Sequence, residues 1–261
     1  MIYKKYKLLK LYLIFILSYL FFRVESFTPE GRIGHSSVLV GNKIYFFGGK
    51  NINVCTNEVF YLDVSKPFDS STPTWIDLTH DAGMPFRSCW GTVSLNDKEQ
   101  TISLFGGFMY DLTKETENFI SNVHSLNLNP LKWNIPDVKG ISPKRRRYIK
   151  SVIDDIGKMY IFGGYGIGGS THYNDMIILD TVELSWLIST SINSPRIRSA
   201  YTATLLPNGV IVYIGGVEEV QGGRLQEVVI NEINLFDTTS STWSVKVRMN
   251  SNLYLINYSL S

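Results

Sequence analysis

The sequence lacks both a marked excess of charge and a helical periodicity. The first absence limits the partners to expect, and the second limits the fold class. Its 261 residues include 25 Lys or Arg against 23 Asp or Glu. Five of the basic residues and one of the acidic residues fall in residues 1–26, which leaves 20 basic and 22 acidic residues. A nearly neutral body offers no broad basic surface, so we expect no nucleic-acid partner. No long segment repeats its apolar residues every 3.6 positions, whereas β-branched and aromatic residues are abundant, so the composition favours an all-β fold.

After its amino terminus, the sequence also lacks an apolar run of membrane-spanning length. The amino-terminal run, Leu11 to Phe22, follows four lysines and precedes Val24-Glu25-Ser26. Crossing a bilayer takes about twenty apolar residues, and this order is typical of a secretory signal peptide. We therefore predict a cleaved signal peptide over residues 1–26 and a secreted, extracellular body. The alternative is an uncleaved segment, residues 11–22, that anchors the chain in a membrane.

What the sequence does contain is one motif stated four times, a short apolar strand that ends in two glycines. The first glycines stand at positions 48, 106, 163 and 215, in steps of 58, 57 and 52 residues. A near-constant step of about fifty residues indicates an array of one supersecondary unit. Glycine at a strand end allows conformations and close approaches that a Cβ would block, which gives these pairs a structural role. They are Gly48, Gly49, Gly106, Gly107, Gly163, Gly164, Gly215 and Gly216.

Each unit has further parts in the same order around the Gly-Gly strand. An arginine begins its first strand, a third strand follows the Gly-Gly loop with Asn or Asp near its ends, and a tryptophan begins the fourth strand. The arginines are Arg32, Arg87, Arg147 and Arg198. The tryptophans are Trp75, Trp133, Trp186 and Trp243. We expect the tryptophans to act as structural wedges between neighbouring sheets, because each can bury a large apolar area.

This order of residues, which runs from position 32 to about 247, resembles the kelch-repeat β-propellers, whose propeller type also occurs in galactose oxidase. The resemblance implies four-stranded antiparallel blades arranged about an axis. We place four blades at about 32–80, 87–138, 145–190 and 196–247 in a domain of residues 27–247; residues 248–261 do not fit the pattern. Propellers close with four to eight blades. The sequence is therefore compatible with three alternatives: a closed four-bladed ring, a part of a longer protein, and a ring completed by another copy. An incomplete ring would favour self-association.

The repeat also predicts a binding face. The first and second strands of a blade are antiparallel, so the four arginines lie at the same face as the loops that follow Gly-Gly. The resemblance implies that such arginines line a ligand mouth, so Arg32, Arg87, Arg147 and Arg198 are candidate ligand-binding residues for a carboxylate or another acidic group. The alternative is that they pair with loop carboxylates and hold blades together. Cys55 and Cys89 fall on this face of neighbouring blades, which predicts one disulfide, with two free thiols as the alternative.

The sequence shows no recognisable catalytic arrangement. Residues 164–169 match the G-x-G-x-x-G spacing, but the helix that a dinucleotide site requires does not follow. Galactose oxidase would imply two tyrosines, a cysteine and two histidines at a copper ion, and none of His35, His80, His124 and His172 can be carried over as a ligand. We therefore expect no catalytic residue, no metal and no cofactor. The predicted function is non-catalytic recognition of a protein or a glycan through the loop face, and a copper oxidase relative is the alternative.

Overall fold

Short apolar strands separated by tight turns fold into four consecutive antiparallel sheets in the computed structural model. The structure describes residues 27–114, 116, 121–168, 171–189, 194–220, 223–249 and 252–257, together with Tyr12. Apart from Tyr12, the predicted signal peptide lies outside the described residues. Within the described part of the chain, no helix is long and apolar enough to cross a membrane.

The four sheets follow one another along the chain, and the strands of each sheet pair in chain order. Sheet 1 contains β1 (Ser36–Val40), β2 (Lys43–Phe47), β3 (Val59–Asp63) and β4 (Trp75–Asp77). Sheet 2 contains β6 (Thr92–Asn96), β7 (Thr101–Phe105), β9 (Val123–Leu128) and β10 (Leu131–Asn134). Sheet 3 contains β12 (Ser151–Ile153), β13 (Lys158–Phe162), β15 (Met176–Asp180) and β16 (Ser185–Ser189). Sheet 4 contains β18 (Thr202–Leu205), β19 (Val210–Ile214), β22 (Glu232–Asp237), β23 (Thr242–Met249) and β24 (Asn252–Asn257). The predicted all-β class with four-stranded antiparallel blades is confirmed, and β24 adds a fifth strand to sheet 4.

Short ribbons extend the second, third and fourth units at one end of their sheets. They contain β5 (Arg87–Cys89) with β8 (Phe108–Tyr110), β11 (Arg146–Arg147) with β14 (Tyr165–Gly166), and β17 (Arg198–Ser199) with β20 (Val217–Val220) and β21 (Arg224–Glu227). A four-residue helix, α1 (Thr79–Ala82), lies between sheets 1 and 2 in the sequence. In units two to four the ribbon joins the beginning of the first strand to the loop after Gly-Gly, and in unit one the bridge between Ile33 and Lys50 does the same, so these two segments do share one face.

The apolar core lies between neighbouring sheets. A tryptophan of each later sheet packs against the phenylalanine that precedes Gly-Gly in the sheet before it. The pairs, with the distances between ring centroids, are Trp133 with Phe47 (6.0 Å), Trp186 with Phe105 (5.5 Å) and Trp243 with Phe162 (4.6 Å). Trp75 has no preceding sheet and packs on Phe46 and Phe60 of its own sheet. Three of the four tryptophans thus lie between sheets, and the fourth lies on a face of sheet 1 where Phe27 also packs against Phe60.

The paired glycines make the backbone contacts between sheets. In three units the second glycine donates its N–H to a carbonyl oxygen of the next unit: Gly49 to Ser88 (2.9 Å), Gly107 to Arg146 (2.8 Å) and Gly164 to Arg198 (2.9 Å). A Cβ on the first glycine of each pair would collide with the same carbonyl oxygen. All these glycines have positive φ, which only glycine adopts without strain. Gly215 has the same conformation (φ 68°), but nothing lies within 4 Å of the place that its Cβ would occupy.

The sheets pack in a row and not in a closed circle. The first strands of successive sheets lie side by side, β1 with β6, β6 with β12 and β12 with β18. Among the described residues, no hydrogen bond, ion pair or ring contact joins sheet 4 to sheet 1. The open space beside Gly215 agrees with this arrangement. The described residues therefore form an open arc of four blades.

Candidate binding face

Equivalent positions in the four units can be read from one series of backbone hydrogen bonds. Trp90 donates to Gly34, Tyr148 to Trp90 and Ala200 to Tyr148, at 2.6, 3.2 and 2.7 Å. All four residues have positive φ, between 55° and 65°, although only the first is a glycine. The positions two residues earlier are therefore equivalent, and they hold Arg32, Ser88, Arg146 and Arg198. The sequence alignment, which used Arg87 and Arg147, is wrong by one residue in units two and three, because an arginine also stands beside each equivalent position there.

The arginines at the equivalent positions are buried and paired within their own unit. Arg146 donates to the carbonyl oxygen of Gly163 (3.0 Å) and forms an ion pair with Asp175 (2.5 Å). Arg32 makes the same two contacts with Gly48 (3.1 Å) and Glu58 (2.6 Å).

Arg198 completes the set and pairs with Glu232 at 2.9 Å. The side chains of Arg146 and Arg198 are each 1% exposed, and that of Arg32 is 5% exposed. Arg32 and Arg146 thus join the Gly-Gly end of one strand to the beginning of the next strand in the same blade, whereas Arg198, among the described residues, pairs only with the acidic residues Glu218 and Glu232.

Arg87 and Arg147 lie elsewhere, in an open cleft of about 440 Å³ on the loop face. The loop after β2 supplies Lys50 to one side of this cleft, and β8 supplies Phe108 and Tyr110. Trp90 lies between these sides. The cleft thus combines residues from units one, two and three, and we call it the cationic cleft after Lys50, Arg87 and Arg147.

The three cations of the cleft have no acidic partner among the described residues. Among the described residues, no carboxylate oxygen lies within 4.0 Å of their charged nitrogens. Arg87 donates instead to the backbone carbonyls of Asp111 (3.3 Å) and Lys114 (3.1 Å). Lys50 places its ammonium 5.9 Å from the ring centroid of Trp90. The cleft therefore carries positive charge that the described residues do not neutralise.

Aromatic rings fix the direction of Arg147. Its guanidinium carbon lies 4.7 Å from the ring centroid of Phe108, 4.9 Å from that of Tyr148 and 4.8 Å from that of Tyr165. Cation–π attraction of this kind orients a guanidinium without neutralising its charge. Its Nε is buried and has no hydrogen-bond partner among the described residues. Arg147 is therefore already oriented for a planar anionic group such as a carboxylate, which its forked donors match.

A disulfide lies at the edge of the cationic cleft. Cys55 and Cys89 are joined, with their Cα atoms 5.5 Å apart. The bond connects the loop after β2 to β5, and Cys55 lines the cleft. The backbone N–H of Ser88 also donates to the carbonyl oxygen of Thr56 at 2.9 Å. These links hold Lys50 and Arg87 on two neighbouring blades near each other.

The four histidines lie apart from this cleft. His35 and His80 are exposed, and the Nδ1 of His172 is 3.4 Å from Glu219. His124 is buried between sheets 1 and 2 against the ring of Phe86, and its burial lowers its pKa to about 4, with a smaller contribution from Arg145. In the described ranges, no group of three or more His, Cys, Asp or Glu side chains is arranged to hold a metal ion.

The sequence interpretation missed the aromatic residues of the cleft. The sequence did contain a signal for them. Trp90 is the one tryptophan that does not begin a fourth strand of the repeat, and Phe108 and Tyr110 lie within three residues after the second Gly-Gly. Lys50 occupies the corresponding place after the first Gly-Gly. Side chains in these post-glycine positions lie on the loop face in both units, so the repeat alone could have identified them.

Successive four-stranded antiparallel sheets that join through paired glycines and tryptophans define a kelch-type β-propeller. The family model described as the KLHDC2/KLHL20/DRC7 Kelch-repeats domain matches residues 34–254. The chain belongs to this kelch-repeat family, which confirms the resemblance seen in the sequence.

Curated relatives share this domain. Kelch domain-containing protein 3 from Rattus norvegicus is 30% identical over 228 residues, which covers 81% of this chain and 56% of the relative, and the Homo sapiens protein of that name is 29% identical over the same shares. Host cell factor 1 from Homo sapiens is 25% identical and covers 74% of this chain, but only 11% of its own length is matched. The chain therefore spans about half the length of its kelch domain-containing protein 3 relatives.

Proposed function

We propose that this chain is a non-catalytic binding module that recognises an acidic segment of a partner protein in the cationic cleft. The observation that carries the proposal is a set of cations, Lys50, Arg87 and Arg147, that no described carboxylate neutralises and that lie near aromatic rings on the loop face. Carboxylates would neutralise these charges, and the rings of Trp90 and Phe108 would cover the apolar part of the same segment. Loops on a rigid scaffold commonly carry recognition in this way.

The two other candidate arginines have a different role in this proposal. Arg32 and Arg198 hold the ends of strands within their blades, because their charges are already paired with Glu58 and Glu232. A ligand carboxylate could reach them only by displacing those acids. The residues that bind the ligand are therefore Arg87 and Arg147, supported by Lys50.

Binding of an acidic probe to substituted proteins tests the proposal. The probe is an oligoglutamate peptide, and Arg147→Ala and Arg87→Ala are compared with Arg224→Ala, which removes an exposed arginine of β21 away from the cleft. A charge-assisted hydrogen bond contributes about 1.5–3 kcal/mol, so we expect each cleft variant to weaken binding by roughly tenfold or more. The control should bind like the unsubstituted protein, and added salt should weaken binding.

Equal binding by all three variants would contradict this assignment of the site. An anionic glycan serves as the competing ligand, because aromatic rings also stack on sugars. If a glycan binds more tightly than any acidic peptide, the proposed ligand becomes a carbohydrate and not a protein.

The proposal includes an extracellular location and no redox cofactor. A disulfide at the cleft fits an oxidising compartment, where such bonds persist. Amino-terminal sequencing of protein recovered from the medium tests the location, and we expect a first residue near Phe27. Retention of residues 11–22 in membranes would support an anchored ectodomain instead. Stoichiometric copper with the absorption of a radical cofactor would support the oxidase alternative.

A further inference from the structure

The disulfide between Cys55 and Cys89 meets the cationic cleft through one of its two cysteines. Cys55 lines the cleft and is 7% exposed, whereas Cys89 is 2% exposed. A thiolate opens a disulfide by attacking one sulfur atom while the other sulfur leaves, and access decides which sulfur is attacked. A thiol that enters the cleft therefore attacks the sulfur of Cys55, and the sulfur of Cys89 is the leaving atom.

Three cations line the same cleft as this bond. Lys50, Arg87 and Arg147 share with Cys55 a cleft of about 440 Å³, and no described carboxylate lies within 4.0 Å of their charged nitrogens. The attacking species in disulfide exchange is the thiolate, which is an anion. Salt screens charges over about 8 Å at physiological ionic strength, so positive charge in a cleft of this size attracts an anionic thiol to the bond.

The fold does not depend on the disulfide alone at this place. The backbone N–H of Ser88 donates to the carbonyl oxygen of Thr56, and that of Gly49 donates to the carbonyl oxygen of Ser88, both at 2.9 Å. Between these contacts the exposed loop closes on itself, because the N–H of Asn51 donates to the carbonyl oxygen of Val54 at 3.1 Å. Opening of the disulfide therefore leaves the two blades joined, so the bond can open and close again in the folded chain.

We propose that the Cys55–Cys89 disulfide is a site of thiol–disulfide exchange that selects small anionic thiols, such as a peptide thiol that carries carboxylates. The entering thiolate forms a bond to the Sγ of Cys55, the bond to Cys89 breaks, and the Sγ of Cys89 leaves as a thiolate that takes a proton from water. Exchange conserves the number of disulfide bonds, so the entering thiol is the only co-reactant. Attack of the Cys89 thiolate on the mixed disulfide releases the small thiol and restores the original bond.

The mixed disulfide also regulates the cleft. A carboxylate-bearing thiol bound to Cys55 places its charges near Lys50, Arg87 and Arg147, and therefore competes with the acidic segment for the same cations. This competition rests on the proposed function, whereas the preference of the exchange step for anionic thiols does not.

Rates of disulfide opening with three thiols of different charge test the proposal. The thiols are mercaptoethanesulfonate, which is anionic, mercaptoethanol, which is neutral, and cysteamine, which is cationic. Each is applied to the unsubstituted chain, to Arg147→Ala and to the control Arg224→Ala, which removes an exposed arginine of β21. Comparison of one thiol across these proteins cancels its intrinsic reactivity. Alkylation and mass spectrometry of the quenched samples give the rate and the cysteine that carries the small thiol.

We expect Arg147→Ala to slow the anionic thiol by roughly threefold to tenfold, to leave the neutral thiol nearly unchanged and to speed the cationic thiol. Added salt should reduce these differences. The control should react like the unsubstituted chain, and the small thiol should be found on Cys55. Equal changes for all three thiols would overturn the proposal. So would a disulfide that stays closed in the folded chain, or a small thiol found on Cys89.

Oligoglutamate separates this inference from the proposed function. A saturating amount of the peptide should slow the anionic thiol, because both occupy the cationic cleft. A peptide that does not bind, or that binds without slowing the thiol, would contradict the proposed function. The dependence of the rates on thiol charge would still decide whether the disulfide is an exchange site.

Discussion

Sheets 1 and 2 show how far a shared sequence pattern determines burial. On one face of each sheet, its row-bearing face, directly paired residues form a row with the same residue types in the same order. The rows are Leu39, Ile44, Leu62 and Trp75 in sheet 1, and Leu95, Ile102, Leu126 and Trp133 in sheet 2. Yet Ile102 and Leu126 are fully buried, and Leu39 is largely exposed. The difference comes from the neighbouring sheet, since the row of sheet 2 packs against sheet 1, whereas no sheet among the described residues covers the row of sheet 1. A local pattern therefore indicates which face of a strand is suited to burial, whereas a separate segment of chain determines whether that face is covered. The predictions below test this contrast, from the largest expected effect to the smallest.

The largest contrast should appear between equivalent leucines. Leu126→Ala creates a cavity between two sheets, and such changes cost about 2–5 kcal/mol of stability. Leu62→Ala removes the same atoms from the partly buried face of sheet 1, where water can reach the space, so we expect a loss of about 1 kcal/mol. Denaturant unfolding of the two variants measures the difference. Equal losses would mean that the face of sheet 1 is covered in solution.

The arginines provide a second contrast, between buried and open positions next to each other in sequence. Arg146→Ala leaves Asp175 without its ion pair and the carbonyl oxygen of Gly163 without a donor, and we expect a loss of about 1.5–3 kcal/mol. Arg147→Ala removes a guanidinium that lies among rings in the cleft, and the expected loss is below about 1 kcal/mol. Thermal unfolding of both variants decides the order. A larger loss of stability for Arg147→Ala than for Arg146→Ala would show that Arg147 stabilises the fold and is not free for a ligand.

These arginines also show how much of the molecule could be read from its sequence. The repeat predicted the sheets, the glycine contacts and the face that carries the loops, because glycine and tryptophan have few alternative uses at a fixed spacing. It could not identify the buried arginine in Lys144–Arg147, since several adjacent cations satisfy the same spacing. The choice depends on backbone register, which the positive φ of Tyr148 fixes and no composition shows. The cationic cleft was only half predicted for a related reason, because three separate units contribute to it.

A third contrast concerns pH and a position on the row-bearing faces where sheet 2 has a titratable side chain and sheet 1 has none. Phe60 of sheet 1 is replaced by His124 in sheet 2, whose folded-state pKa is about 4 against an ordinary value of 6.5. Below pH 6.5 the unfolded chain gains a proton that the folded chain does not, so stability falls as the pH decreases from 6.5 towards 4. At about pH 5 this loss should reach about 2 kcal/mol. Unfolding measured against pH for His124→Phe should lack this loss, and an unchanged profile would remove His124 as its cause.

The smallest change in stability is expected for a substitution of Leu39. Its dependence on protein concentration tests whether another molecule covers this residue. In a single chain Leu39 is 56% exposed, so Leu39→Lys should change the stability by less than about 0.5 kcal/mol. A partner that binds only the folded chain adds stability that grows with its concentration. If a second copy covers sheet 1, the unsubstituted chain should therefore gain stability over Leu39→Lys as the protein concentration increases, while the two agree in dilute solution. Thermal unfolding at several concentrations measures the gap. A gap that is constant with concentration would show that Leu39 contributes within its own chain, and the two rows would then differ less in burial than the structure indicates.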